Sequence, residues 1–153
     1  MSRLELKVAP DVVWVLVVGL MWLASVRTPR LDLPYWLRAG TAAILTVMGV
    51  WMMVSARMSL EQANTTWHPM TPTKSTAVVT SGVYGFSRNP MYLGMLLVML
   101  GWAVVLASPV ALVLSAILVV YIDRFQIGPE ERALTVILGQ EYVDYRAQVR
   151  RWI

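Results

Sequence analysis

The sequence predicts an all-α polytopic membrane protein with about four transmembrane helices, a tight helical hairpin among them, and a cytosolic C-terminal helical segment. Three observations carry this. Apolar residues make up 58% of the 153 positions and charged residues only 14%, against about 45–50% and about 25% in soluble domains. The 34 residues between Arg88 and Asp123 contain no charge. Two further uncharged stretches, residues 12–26 and 39–56, precede that run.

The elements follow in order. Residues 12–26 are short for a span, but Pro10 and Asp11 extend the helix start and Arg27 snorkels at its far end. Arg3 and Lys7 before this apolar core, with small Ala24-Ser25 after it, also fit a signal peptide. The next apolar segment follows at once, which favours a span. Residues 39–56, between Arg38 and Arg57, form the second. The 34-residue run is too long for one crossing, because at 1.5 Å per residue it would reach about 51 Å against a core of about 30 Å. Two helices joined at Ser108-Pro109 suit it, and such a hairpin brings the flanking polar clusters to one membrane face. Residues 57–89 are loop-forming in composition, with Asn64-Thr-Thr66, Thr71-Pro72-Thr73 and Ser81-Gly82. Residues 130–151 read as helical, with Leu134, Ile137, Leu138, Tyr142, Tyr145 and Val149 on one stripe and a break at Gly139. The seven Trp are expected to serve partly as interfacial anchors.

Charge sets the orientation. Four spans put ten of the thirteen Lys and Arg on one side, leaving Arg27, Arg30 and Arg38 on the other. The positive-inside rule then makes both termini cytosolic, in a bacterial inner membrane. This bias accounts for the net charge of +4 without a nucleic-acid partner. The absence of Cys excludes a disulfide framework, thiol catalysis and thiolate metal sites. The lone His68 cannot make a multi-histidine metal centre and reads as structural or exposed; no metal site is expected.

Chemistry concentrates beside the uncharged run. Upstream stands Gly82-Val-Tyr84-Gly-Phe-Ser-Arg88-Asn89-Pro90-Met91-Tyr92-Leu-Gly94. Downstream stand Pro129-Glu130-Glu131 and Gly139-Gln-Glu141-Tyr142-Val-Asp-Tyr145-Arg146. Each part has a plain explanation. Carboxylates suit a helix start, Pro90 opens a helix, and Arg88 and Tyr92 suit the membrane interface. A carboxylate opposite the Arg88–Tyr92 cluster could instead pair with an ammonium or sulfonium.

Taken as a set, these residues resemble the isoprenylcysteine carboxyl methyltransferase family, its bacterial branch in particular, with phospholipid N-methyltransferases as more distant relatives. The resemblance runs over roughly residues 62–151. It implies S-adenosyl-L-methionine as cofactor, wrapped by Thr76, Ala77, Val78, Val79, Tyr84, Asn89, Pro90, Met91 and Tyr92 and contacted by Glu130. Two positions depart from the eukaryotic pattern: Asn89 stands where those enzymes have His, and Gln126 where they have the Arg that engages the acceptor carboxylate. Arg124 lies two residues earlier, about 200° round a regular helix. Gln126, Arg124 and Arg88 are therefore the candidate catalytic residues on the acceptor side. The implied partners are a lipophilic or small acceptor, a carboxylate, thiol or amine that enters from the bilayer if lipophilic, and the membrane lipids themselves. The alternatives are a membrane reductase using a nicotinamide cofactor, disfavoured by the short chain and the few basic residues, and a non-catalytic scaffold of the same fold.

The orientation is directly testable. A reporter fused after Ile153 is expected to be active in the cytosol; activity confined to the periplasm would invert the topology.

Overall fold

A computed structural model describes residues 8–66 and 71–153, and every element among them is helical. His68 and Trp67 lie outside the described residues, as do Arg3 and Lys7. Helix α1 runs Pro10–Arg27, α2 Tyr35–Gln62, α3 Pro90–Leu106, α4 Pro109–Ile122 and α5 Gly128–Gln148. One π-helical turn, Asp123–Ile127, fuses α4 and α5 into a single run. Three helical segments are long and apolar enough to cross a membrane: α1, α2 and the run Pro109–Gln148. The apolar α3 is shorter. Charges begin at Asp123, so α5 lies beyond the apolar part of its run.

The hairpin turns where the uncharged run predicts. Ala107 takes a left-handed conformation (φ 48°) and closes α3, and the Ser108 hydroxyl caps α4 by accepting from the Ala111 N–H at 3.4 Å. Pro109 then starts α4 at the position where its missing N–H costs nothing. The far ends are tied as well: the Leu31 N–H donates to the Ala107 carbonyl at 2.8 Å, and the Arg38 guanidinium to the Val105 carbonyl.

Helices α2 and α3 pack along each other at near backbone contact. A Cβ built on Gly49 would stand 2.6 Å from the Gly94 carbonyl, and one on Gly94 would stand 2.6 Å from the Gly49 carbonyl. One heptad along, a Cβ on Gly101 would meet Thr46 Oγ1 at 2.9 Å. In lipid, where apolar surfaces gain little by associating, small residues that admit such approach supply the van der Waals contact that holds helices together. Helix α1 lies on the other side, against α3 and α4. Trp14 Nε1 donates to the Met95 carbonyl (3.0 Å) and Trp102 Nε1 to the Val18 carbonyl (3.3 Å). These two indoles are thus pins between helices, whereas Trp22, Trp36 and Trp51 face outward.

Two boundaries differ from the sequence reading. Helix α2 continues past Arg57 to Gln62, held by an Arg57–Glu61 pair at 2.7 Å, so the irregular segment begins later. It contains two 3₁₀ turns, Pro72–Lys74 and Gly82–Gly85. Helix α5 ends at Gln148, and Val149 is extended (φ −116°, ψ 134°). Its main-chain groups beyond that point serve Arg88, as described below. Gly139 does break α5, with φ 59° and ψ −134°.

The close approach of α2 and α3 predicts that Gly94→Leu destabilises the bundle by about 2 kcal/mol or more, as overpacked sites do. Gly40→Ala, whose Cβ would meet nothing within 4 Å, should be neutral or mildly stabilising by helix propensity. Thermal unfolding in detergent checks both; equal midpoints for the two variants would refute the packing argument.

Candidate functional site

One end of the bundle holds a cavity of about 360 Å³, within the usual range for small-molecule sites. The start of α1, the end of α2, the irregular segment, the start of α3 and α5 all contribute walls. The hairpin and the loop therefore bring both sequence clusters to one place.

Most residues singled out from the sequence meet there. Ala77, Val78, Val79, Tyr84, Arg88, Asn89, Pro90, Met91, Tyr92 and Glu130 line the cavity. Thr76 stands just outside and fastens the loop: its N–H donates to Thr65 Oγ1 (3.0 Å) and its hydroxyl to the Asn64 carbonyl (3.1 Å). Gln126 and Arg124 are not in the lining. Gln126 is fully buried, donating from Nε2 to the Val8 carbonyl at 2.6 Å, so it sits behind the wall that Ala9, Pro10 and Asp11 form. Arg124 is exposed. The π turn supplies a local distortion of the helix there, yet it leaves the two side chains on different sides.

The polar groups divide into a committed set and an available one. Glu131 is 4% exposed. Arg88 Nη2 donates to it at 2.7 Å, and Arg151 donates from Nε (3.2 Å) and Nη2. Arg88 is committed in turn: its Nη1 donates to the carbonyls of Val149 (2.7 Å) and Arg146 (3.0 Å), and its N–H to the Arg150 carbonyl (3.0 Å). Asn89, which precedes α3, does not cap it. Its Nδ2 donates to the Arg151 carbonyl at 2.9 Å. Burial works to raise the Glu131 carboxyl, but the bonds from Arg151 and Arg88 outweigh it and hold that group below its ordinary value.

Glu130 is the available group. Among the described residues its one hydrogen bond is from Tyr92 Oη to Oε2, at 3.1 Å, and it has no ion pair. Burial pushes its carboxyl up to about 7, against the Tyr92 bond and with help from the neighbouring Glu131 charge. The remaining walls are largely apolar or phenolic, Tyr84, Tyr142 and Tyr145 among them. Tyr145 Oη donates to the Tyr84 carbonyl at 2.7 Å, locking the 3₁₀ turn to α5. Burial keeps these phenols protonated, Tyr145 pushed up to about 12 and the other two higher. An uncompensated carboxylate among aromatic faces can hold a cation by charge and by the ring quadrupoles.

Sequence reasoning missed Asp11 and Arg151. Asp11 lines the cavity because the start of α1, which Pro10-Asp11 does mark in sequence, packs at that end of the bundle, and no local signal gives that packing. The helical stripe of α5 did point to the right wall: Leu134, Leu138, Tyr142 and Tyr145 line the cavity, while Ile137 is 40% exposed. No cluster of potential metal ligands occurs among the described residues.

A family model described as phospholipid methyltransferase matches residues 37–141. Protein-S-isoprenylcysteine O-methyltransferase of Mus musculus is 31% identical over 129 residues, which cover 83% of this chain and 44% of the mouse protein. Its counterpart B in Arabidopsis thaliana is 35% identical over 72 residues, 47% of this chain and 36% of that protein. An uncharacterized protein of Haemophilus influenzae is 40% identical over 63 residues, 41% of this chain and the whole of that protein. The chain thus spans less than half the length of the named enzymes.

The two adjacent glutamates predict opposite pH dependences of stability. Glu131, held below 4.5, contributes stability that is present above its unfolded value and lost as pH falls through its folded one. Glu130, raised from 4.5 to about 7, makes the folded state progressively less stable as pH rises between those values. Wild-type protein should therefore lose roughly 1–3 kcal/mol between pH 5 and pH 8 from this group, and Glu130→Gln should abolish that loss. Unfolding midpoints in detergent at the two pH values check it; an unchanged slope in the variant would refute the assignment.

Proposed function

The chain belongs to the phospholipid methyltransferase family, and from that membership and the cavity's chemistry we propose that it transfers a methyl group from S-adenosylmethionine to a lipophilic acceptor at the cytosolic membrane face. The observation that carries this reading is Glu130, a carboxylate without a cationic partner among the described residues, in an aromatic and apolar cavity at one end of a membrane bundle. The lining suits such a donor, since a sulfonium and an ammonium are what a lone carboxylate and phenol faces would bind. When bound, S-adenosylmethionine supplies an electrophilic methyl group on a sulfonium centre.

The chain's own residues would do the rest by holding and shielding. Tyr92 Oη fixes one oxygen of Glu130, leaving Oε1 for the donor's amino or hydroxyl groups. Val78, Val79, Met91, Leu134 and Leu138 give the cavity an apolar lining that would limit water around a bound donor, and orientation in a water-poor pocket can supply much of the rate of an in-line displacement. A carboxylate acceptor arrives ionised and needs no base. An amine must first release a proton, which a carboxylate, a tyrosine or water would take. Asn89, Pro90, Tyr84 and Ala77 would complete the donor's enclosure. Gln126, behind the wall, would shape the acceptor's side through its hold on Val8. Arg88, its Nη groups bound to Glu131 and two carbonyls, would act on the acceptor through the wall it braces.

A second, apolar groove of about 530 Å³ supports a lipophilic acceptor. It lies between α2 and α3, with Trp51, Met52, Leu93 and Leu97 along it and Phe86 and Ile153 at one end, and would take a hydrocarbon chain from the bilayer.

Calorimetry in detergent tests the reading. Wild-type protein should bind S-adenosylmethionine, and Glu130→Gln should weaken binding by roughly 10-fold or more, about 1–3 kcal/mol for a lost charged hydrogen bond. Affinity should also rise with pH through about 7 in wild type and lose that dependence in Glu130→Gln. Tight binding of NADPH with none of S-adenosylmethionine would favour a reductase; binding of neither would leave a scaffold.

A further inference from the structure

Arg151 does not line the cavity, yet it joins the π turn, the start of α5 and the residues on either side of Arg88. Its Nη1 donates to both oxygens of Asp123 in the π turn, each at 3.0 Å. Its Nε and Nη2 bind the two oxygens of Glu131 in the first turn of α5. Its carbonyl accepts from Asn89 Nδ2 (2.9 Å) and from Ser87 Oγ (3.3 Å), the residues flanking Arg88. Local sequence logic does not call for this. Residue 151 lies beyond the end of α5, in the extended tail, and nothing in helix propensity places a cation there.

We propose that Arg151 is a positioning residue of the site: through Glu131 and Asn89 it fixes the place and the charge environment of the Glu130 carboxylate. The geometry distinguishes this from a surface ion pair. The Asp123 arm is partly exposed, at 38% of its side chain, and such pairs contribute little stability. The Glu131 arm ends on a side chain 6% exposed, whose charge stands one residue from Glu130. A planar guanidinium fork suits this double grip, which an ammonium on a flexible stem cannot reproduce.

The charge consequence can be worked out from the groups around Glu130. Tyr92 faces it from α3 and Tyr84 from the 3₁₀ turn; Tyr142 and Glu131 belong to its own helix; Asp11 and Arg88 share the cavity lining from α1 and the loop. Glu131 is the charge that acts on it most directly, and it is compensated by Arg88 and Arg151. Removing the Arg151 guanidinium uncovers negative charge beside Glu130 and makes that carboxyl hold its proton more tightly. The assignment deepens the function proposed above, but its first test does not require a bound ligand.

The test is a carboxyl titration of the full chain in detergent by ¹³C NMR, with the Glu130 signal identified by its loss in Glu130→Gln. Arg151→Gln should raise the Glu130 midpoint by about half a pH unit or more, and Arg151→Lys, which keeps a charge but loses the fork, should raise it less. S-adenosylmethionine affinity at pH 7 should fall about three- to tenfold in Arg151→Gln. Should Arg151→Gln not fold, the lysine variant decides. An unmoved midpoint in every folded variant, whatever happens to the unfolding temperature, makes Arg151 merely structural and overturns the assignment. A shifted midpoint in a protein that does not bind S-adenosylmethionine would instead overturn the proposed function and leave the role of Arg151 standing.

Discussion

The buried carboxylate of Glu131, gripped by Arg88 from one side and Arg151 from the other, is the interaction on which the site depends. It joins residues 43 and 20 positions away in the chain through a carboxylate that is itself almost wholly buried. Taking one such charge out of water is costly, and breaking a buried pair by removing one partner typically loses about 3–5 kcal/mol. The arrangement is braced by the partners' other Nη donors: Arg88 Nη1 bonds the Val149 and Arg146 carbonyls and Arg151 Nη1 bonds Asp123, while the buried Arg88 Nε has no partner among the described residues. Fixing these groups also fixes the start of α3, the start of α5 and the tail.

That clamp would have nothing to hold without the membrane constraint. An uncharged run too long for one crossing must fold back, and the Ala107-Ser108 corner lets it do so with its main-chain groups satisfied. The fold-back brings Arg88 and Glu131 to one end of the bundle. Helix α2 meets α3 through glycine at Gly49, Gly94 and Gly101, and the irregular segment that follows α2 then falls over the same end. The cavity is what remains between that segment and α5.

Adjacent glutamates in this site do unlike work because their surroundings differ. Glu131 is bonded by two guanidinium groups and stays ionised; Glu130 lines the cavity with one hydrogen bond, from the Tyr92 phenol, and is raised to about 7 by burial. Neighbouring carboxyls driven apart in this way are suited to different roles: Glu131 ties segments of the wall together, and Glu130 is left open to the cavity.

Much of this was legible in the chain itself. Hydropathy and the position of charges determined the helical hairpin, its corner at Ser108-Pro109, the break at Gly139 and the face of α5 that carries Leu134, Leu138, Tyr142 and Tyr145, because periodicity and backbone preference are local properties. The resemblance carried by the polar clusters implied Tyr84, Asn89, Tyr92 and Glu130 as site residues, and all four line the cavity. What only the tertiary structure decided were the pairings. Which of two adjacent glutamates is buried against arginine, that α1 closes the cavity with Asp11, that Gln126 holds Val8 behind the wall while Arg124 faces out, and that Arg151 reaches back to Asp123 and Glu131 all depend on distances between segments far apart in sequence. A charge on a helix start looks the same in sequence whether it meets water, a guanidinium or a ligand; only packing chooses its partner, and so its charge state.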